Sequence, residues 1–215
     1  MDVEIATITK IEIQKRNKGR CAIFLDHEFA FGLDAAIVVQ HGLKAGDQIT
    51  QVQISEILYE EEKQRIKEQV YRFLARRAHS EKELRTKLLR KRFEKSLVEA
   101  VILELERQKL VDDAAFAHAF VHSRLRSKPL GEHALRQELR NKGLAETHIA
   151  SALQKAYDEK SQVDYARELI QKKMPHYEEF EDRIKKKRLA DFLVRRGFDW
   201  ELVKEVLEEK FRAED

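Results

Sequence analysis

Apolar positions along this chain follow a pattern that occurs three times. Leu84, Leu88, Lys91, Arg92, Phe93, Val98, Val101 and Ile102 recur as Leu135, Leu139, Lys142, Gly143, Leu144, Ile149, Ala152 and Leu153. They recur again as Leu189, Leu193, Arg196, Gly197, Phe198, Val203, Val206 and Leu207. Leu84 and Leu135 lie 51 residues apart, and Leu135 and Leu189 lie 54 apart. There is almost no drift inside the block, which marks an architectural period. The spacing within a block puts one apolar stripe on each of two short helices with a turn between them. In copies two and three the turn is a base followed by glycine, Lys142-Gly143 and Arg196-Gly197. Glycine takes the left-handed conformation that closes a helix, and the base meets the last carbonyls. The first copy has Arg92 at that place, so its helix must end differently or carry strain.

A third helix precedes each pair, at Val70 to Arg77, Phe116 to Ser127 and Tyr165 to Lys173. Ser80 with Glu83 and Ser96 with Glu99 have the spacing of capping boxes. Asp112 or Asp113 can cap the helix that opens copy two, and Asp199 the last helix of copy three. A three-helix unit of roughly fifty residues is marginal alone and gains from stacking on its neighbours.

The N-terminal segment has a different period. Val3 to Ile13 alternates, with Val3, Ile5, Thr7, Thr9 and Ile11 on one parity, and runs into a turn at Arg16-Asn17-Lys18-Gly19. Arg20 to Leu25 and Glu28 to Phe31 read as two more strands around Asp26-His27. Leu33 to His41 reads as a short helix opening at Asp34 and ended by Gly42. A last strand near Asp47 to Val52 leads into a long polar helix from about Ser55, with no flexible linker.

The fold these patterns predict is mainly α: three tandem three-helix repeats forming an elongated curved array, preceded by a small β-rich N-terminal domain. The expected divisions are residues 1–54 for that domain, 55–113 for a connecting helix and the first repeat, 114–160 for the second and 161–215 for the third. Composition agrees, with 42% hydrophobic residues, seven Gly and two Pro in 215 residues. No apolar run is long enough to cross a membrane, Met1 to Ala6 carries acids rather than a basic leader, and Cys21 is the single cysteine. A cytoplasmic monomer with no membrane partner is expected. Residues 1–60 carry six bases against nine acids, so the positive excess of the chain belongs to the helical repeats.

Glycine-rich phosphate loops, nucleophile elbows and paired catalytic carboxylates are absent at any credible spacing, so no enzymatic activity, cofactor or metal is expected. His118 and His122 share a helix face without a third ligand at standard spacing. Asp112-Asp113 reads as a helix cap rather than an acid–base pair, and Cys21 as a small core residue. What remains is basic clusters. The first holds Arg76, Arg77, Arg85, Lys87, Arg90 and Lys91, with Arg92 beside them. The second holds Arg124, Arg126, Lys128, Arg136 and Arg140, and the third Lys172, Lys173, Lys186, Lys187 and Arg195. Many such residues coat solvated helix faces and pair with nearby Glu. Their recurrence on the first two helices of every copy, with acids gathered at Glu60 to Glu62, Glu178 to Asp182 and the last helix, suggests a basic stripe suited to an extended polyanion or an acidic filament. Aromatics do not interleave with these bases as on a stacking platform, so phosphate or protein contact is expected over base reading.

The run Arg76-Arg77-Ala78-His79-Ser80-Glu81-Lys82-Glu83-Leu84, then Lys87-Leu88, Leu110-Val111-Asp112-Asp113 with Phe116-Ala117, and Gly131 and Leu135 through Glu138-Leu139 to Lys142-Gly143, resembles the RecX family of recombination regulators. The resemblance implies a bacterial cytoplasmic regulator that binds the RecA recombinase, lodges in the groove of its filament on DNA, blocks extension and lowers ATPase, strand-exchange and coprotease activity. It implies no catalytic residues. Three rigid units touching successive protomers would bind multivalently. The alternative is a sequence-independent nucleic-acid-binding helical repeat protein with an architectural role.

Overall fold

The computed structural model describes residues 5–15 and 17–212. Val3 and Arg16, which enter the expected first strand and turn, lie outside them. Backbone contacts gather the chain into two compact units, one running to residue 76 and taking in 88–104, the other holding 77–87 and 105 onward.

In the first unit an antiparallel sheet has the order β3-β2-β1-β4, built from β1 (Ile5–Gln14), β2 (Asn17–Leu25), β3 (Glu28–Asp34) and β4 (Gln48–Thr50). Asp26 and His27 have φ of 49° and 73°, the two-residue reversal that suits the twist of a hairpin. β1 does not keep a single parity. Its pairing with β2 shifts between Ile8 and Lys10, leaving Thr9 as an extra residue whose hydroxyl donates to the Phe24 carbonyl and accepts from the His27 N–H. The bulge turns Ile8 and Ile11 to the same side, Ile8 buried and Ile11 packed against the core, while Ile5 and Ile13 are exposed. The expected alternation through Ile5, Thr7, Thr9 and Ile11 is corrected by that one inserted residue.

Helix α1 (Ala35–Gln40) opens on the Asp34 carboxylate, which accepts the Ala36 N–H at 2.8 Å, and stops before Gly42 with φ 62°. Helix α2 (Gln51–Leu74) starts earlier than expected, and the strand before it is shorter. Thr50 and Gln53 form a complete capping box, whereas the Ser55 hydroxyl bonds back to the Gln51 carbonyl. Ile8, Cys21, Ile23 and Leu33 pack with Ile37 and Val38 of α1 and with Ile54 and Ile57 of α2. Above this core Glu61 is 4% exposed. It accepts the Asp34 N–H at 2.6 Å and pairs with Arg20 at 2.6 Å, and Arg20 also donates to the Gly32 carbonyl. A buried carboxylate survives only with such partners. The acidic run Glu60 to Glu62 therefore splits, with Glu60 on the surface against His41 at 2.8 Å.

Helices α3 (Glu81–Arg90) and α4 (Lys95–Arg107) follow. At α4 the expected Ser96–Glu99 box is replaced: Glu94 accepts the Ser96 and Leu97 N–H groups, so the helix opens one residue before Ser96. The second unit continues with α5 (Asp113–Ser127), α6 (Glu132–Asn141), α7 (Glu146–Glu159), α8 (Gln162–Lys173), a 3-10 turn (Met174–Tyr177), α9 (Asp182–Arg195) and α10 (Trp200–Arg212). Phe116, Val121, Leu135, Leu139, Ile149 and Leu153 close one core, and Leu169, Ile170, Leu189, Leu193, Val203 and Phe211 another. Asp112 caps α5, Ser161 caps α8, and Asp199 accepts from Glu201 at the start of α10.

The repeated turn has one geometry in all three copies. Arg92, Gly143 and Gly197 have φ of 65°, 86° and 83°. The following N–H, of Phe93, Leu144 or Phe198, reaches back to the carbonyl of Leu88, Leu139 or Leu193 at 3.4, 3.3 and 3.2 Å. Each is the 6→1 closure of a left-handed helix end. Arg92 thus closes its helix as the glycines do and carries the strain. A left-handed conformation alone does not require glycine here, so the glycines have a further reason. A Cβ on Gly143 would lie 2.7 Å from the Lys82 Cβ, and one on Gly197 would lie 2.4 Å from the Ala134 N. Arg92→Gly should therefore change stability by about +0.5 kcal/mol, strain relief being partly offset by chain entropy. Gly143→Val should cost about 1 kcal/mol or more. Denaturant midpoints measure both, and a Gly143→Val variant as stable as its parent would mean that nothing packs against that turn.

Candidate functional site

The tight packing at these glycines comes from a joint that the second unit contains twice. At the first joint the start of α3 meets the end of α6. The Ser80 hydroxyl donates to the Lys142 carbonyl at 2.8 Å, and the Glu81 N–H donates to the Asp113 carboxylate at 2.9 Å. At the second the start of α6 meets the end of α9. The Gly131 N–H donates to the Arg196 carbonyl at 2.9 Å, the His133 N–H to the Gly197 carbonyl at 3.2 Å and the Glu132 N–H to Gln162 Oε1 at 3.1 Å. Unpaired donors at one helix start are satisfied by unpaired carbonyls at another helix end and by the first side chain of the following repeat. The start of α3 meets the end of α6 and the start of α6 the end of α9, so opposite ends of the helix dipoles face each other, a favourable contact.

The bases before the turn glycines serve these joints. Lys142 Nζ pairs with Glu83 at 2.7 Å and lies over the Phe116 and Phe120 rings, and the Arg196 guanidinium donates to the Pro129 carbonyl at 3.0 Å. Glu83 does not fold back as a capping-box acid. Ser80 still accepts the Glu83 N–H, but the carboxylate goes to Lys142 and Arg77. Burial works against ionisation of Glu83, yet the hydrogen bonds from Arg77 and Lys142 outweigh it and hold its pKa at about 2 against an ordinary 4.5. Asp113 and Glu106 shift the other way, raised first by burial; the negative charge of Glu81 pushes both up further, while the hydrogen bond from the Glu81 N–H pulls Asp113 back in part. Buried His79 donates from Nδ1 to the Arg77 carbonyl and faces Lys87 Nζ at 2.7 Å through Nε2, and burial lowers its pKa.

Against this frame the sixteen candidate cations divide. In the first cluster Arg77 pairs with Glu83, Arg85 with Glu81, and Lys87 faces His79, whereas Arg76, Arg90 and Lys91 are exposed with no ion pair among the described residues. In the second, Arg124 pairs with Glu138 at 2.7 Å and lies over Phe120. Arg136 pairs with Glu132 and Glu146, and Arg140 with Glu146 at 3.0 Å. Arg126 and Lys128 are exposed and, among the described residues, unpaired. In the third, Lys172, Lys187 and Arg195 are likewise exposed, Lys173 lies over Tyr177 and Phe192, and Lys186 over Phe211. The expectation that aromatics do not interleave with bases is overturned in this third repeat, because the chain from Met174 to Phe180 folds back onto α9 and brings rings that are distant in sequence beside its cations.

The other candidates have structural places. Asp112 caps α5 and Asp113 caps α3, Cys21 is buried in the sheet core, and His122 faces Glu159 at 3.5 Å. Among the described residues no group of three or more His, Cys, Asp or Glu could hold a metal ion, and no helix is long and apolar enough to cross a membrane.

Comparison with known proteins matches four successive family descriptions: Regulatory protein RecX N-terminal domain over residues 6–50, and the RecX first, second and third three-helix domains over 67–105, 112–153 and 160–207. A Regulatory protein RecX from Bacillus cytotoxicus is 33% identical over 215 residues, covering 98% of this chain and 79% of the relative. The chain belongs to the RecX family. A RecX from Clostridium acetobutylicum is 31% identical over 212 residues, covering 97% of this chain and 98% of its own length. The crystal structure of a regulatory protein RecX superposes with TM-score 0.75 at 28% identity, over 94% of this chain and 99% of the other. RecX from Lactobacillus salivarius, at 20% identity and TM-score 0.63 over 69% of this chain and 96% of its own, shares the fold. Both joints and all sixteen cations fall inside RecX three-helix matches. Glu83→Gln should cost about 1 kcal/mol at neutral pH. A pKa lowered by folding stabilises above the ordinary 4.5 and ceases to do so as pH falls towards 2, so the difference from the parent should vanish over that range. Denaturation at a series of pH values checks this, and a pH-independent difference would remove the ion-pair account.

Proposed function

We propose that the chain is a non-enzymatic regulator that binds the RecA recombinase filament on DNA and inhibits its extension and activities, acting as a monomer in the cytoplasm. Family membership supports the regulatory role, and the twice-used joint supports the manner. The same helix-end contact, used twice within the second unit, sets like helices in regular succession, which suits a partner that is itself a repeating polymer. Contacts that are individually weak add steeply when each forms at the high effective concentration set by the last. The exposed cations fit either phosphate or acidic protein on that polymer.

RecA ATPase on single-stranded DNA, measured against increasing amounts of this protein, should fall to a small residue, and an unchanged rate at saturation would overturn the reading. Charge reversal at the exposed pair, Arg90→Glu with Lys91→Glu, should weaken inhibition about tenfold or more with helicity intact. Reversal at Arg85 and Lys87 should lower stability as well, since Arg85 pairs with Glu81 and Lys87 faces His79. Circular dichroism and the ATPase titration together separate the two pairs.

A further inference from the structure

The connection between the first two helices of the third repeat runs from Met174 to Glu181, where its counterpart in the second repeat runs only from Lys128 to Gly131. This longer connection builds a row in which cations and rings alternate. Arg196 lies 4.8 Å from the centre of Phe192, and Lys173 lies 5.9 Å from Phe192 and 5.8 Å from Tyr177. Arg188 then lies 5.7 Å from Tyr177 and 3.9 Å from Phe180, the last being stacking distance for a guanidinium on a ring. Tyr177 and Phe180 meet edge to face at 6.4 Å.

Most other cation–ring pairs in the second unit are neutralised, Arg124 by Glu138, Lys142 by Glu83 and Lys160 by Glu168, whereas Lys186 over Phe211 stands alone without a second ring. Lys173 and Arg188 have no carboxylate partner among the described residues, and Arg196 is met by a carbonyl. Lys173 and Arg188 thus stay unpaired cations, although Glu178, Glu179 and Glu181 lie on the same connection. Tyr177, Phe180 and Phe192 are each only partly buried, so ring surface remains open beside it.

We propose that this row is a contact site for single-stranded nucleic acid, in which Lys173 and Arg188 take backbone phosphates while Tyr177, Phe180 and the Arg188 guanidinium stack unpaired bases. Cations without ion pairs suit the phosphates of a polyanion, and flat groups set among them suit one whose bases are exposed. A duplex hides its base faces, and an acidic protein surface would leave the rings without a role. The inference shares with the proposed function the presence of single-stranded DNA, but its test omits the recombinase, so either can fail alone.

Anisotropy titrations of the full chain against an oligothymidylate, an abasic strand of equal length and a duplex test it. The oligothymidylate should bind tightest. Phe180→Leu and Tyr177→Leu should each weaken it about fivefold or more while leaving the abasic strand unaffected, and Arg188→Gln should weaken both strands and make the salt dependence shallower. Phe180→Trp, which keeps a ring, should retain the parent affinity even if the leucine variant is less stable. Equal affinity for oligothymidylate and abasic strand, preference for the duplex, or binding only to polyglutamate as a stand-in for acidic protein would each overturn the assignment.

Discussion

Everything after residue 77 depends on how one helix end receives the start of another. A helix leaves unpaired carbonyls at one end and unpaired N–H groups at the other, and burying either set without partners costs several kcal/mol. In one joint the two sets answer each other, Gly131 N–H to Arg196 carbonyl; in the other side chains mediate, the Ser80 hydroxyl donating to the Lys142 carbonyl and the Asp113 carboxylate accepting the Glu81 N–H. Such an approach leaves no room for a side chain on the turn. That is why Gly143 and Gly197 stand where atoms of Lys82 and Ala134 press within van der Waals distance, and why φ alone is a poor account of them. Arg92 supplies the control within the same molecule, having a left-handed turn of the same kind, closed by the same hydrogen bonds, with an exposed side chain.

The same geometry divides the positive charge. A cation whose carboxylate partner lies on the next repeat or across a helix pair is already spoken for, and its remaining attraction for a distant anion is small. Lys142 with Glu83, Arg124 with Glu138 and Arg136 with Glu146 are of this kind, and Arg136 also pairs with Glu132 on its own helix. Arg90, Lys91, Arg126, Lys128, Lys172, Lys187 and Arg195 stand out in water and keep their field. The number of cations therefore overstates what the repeats can offer a partner, and of these seven all but Lys187 stand at helix ends or on connections.

The period of apolar residues was legible in the chain because a helix stripe and a turn depend on neighbours within about one turn. The caps at Asp34, Asp112 and Asp199 were legible for the same reason. Thr9 was not, since an inserted residue in a strand changes parity without changing composition. Nor was Glu61 distinguishable from Glu60 and Glu62, because only the approach of Arg20 and the Asp34 N–H makes one of three equal acids the buried one. The joints join residues more than fifty positions apart, as Ser80 and Lys142 are, and no local rule reports that. Reading basic clusters along the line of the sequence also hid the aromatic row, whose rings come from Tyr177, Phe180 and Phe192 on both sides of a fold-back.

The two joints share a plan but differ in chemistry, and the difference has physical consequences. The second is made mainly of backbone hydrogen bonds, the Gln162 amide and the Arg196 to Pro129 contact, with Glu132, which accepts from Gln162, and the exposed His133–Asp199 pair at 3.8 Å as its charged members. The first is made largely of charge: Glu83 with Lys142 and Arg77, and Glu81 crowded by Asp113 and Glu106. Asp113 and Glu106, raised by burial, take up protons first as the pH falls, which relieves their repulsion with Glu81, whereas Glu83 keeps its charge until about 2. Added salt screens the part-exposed pairs of the first joint and leaves the amide contacts of the second untouched. A contact used twice thus has one version held largely by charge, which follows its ionic surroundings, and one held largely by backbone and amide hydrogen bonds, which follows them much less.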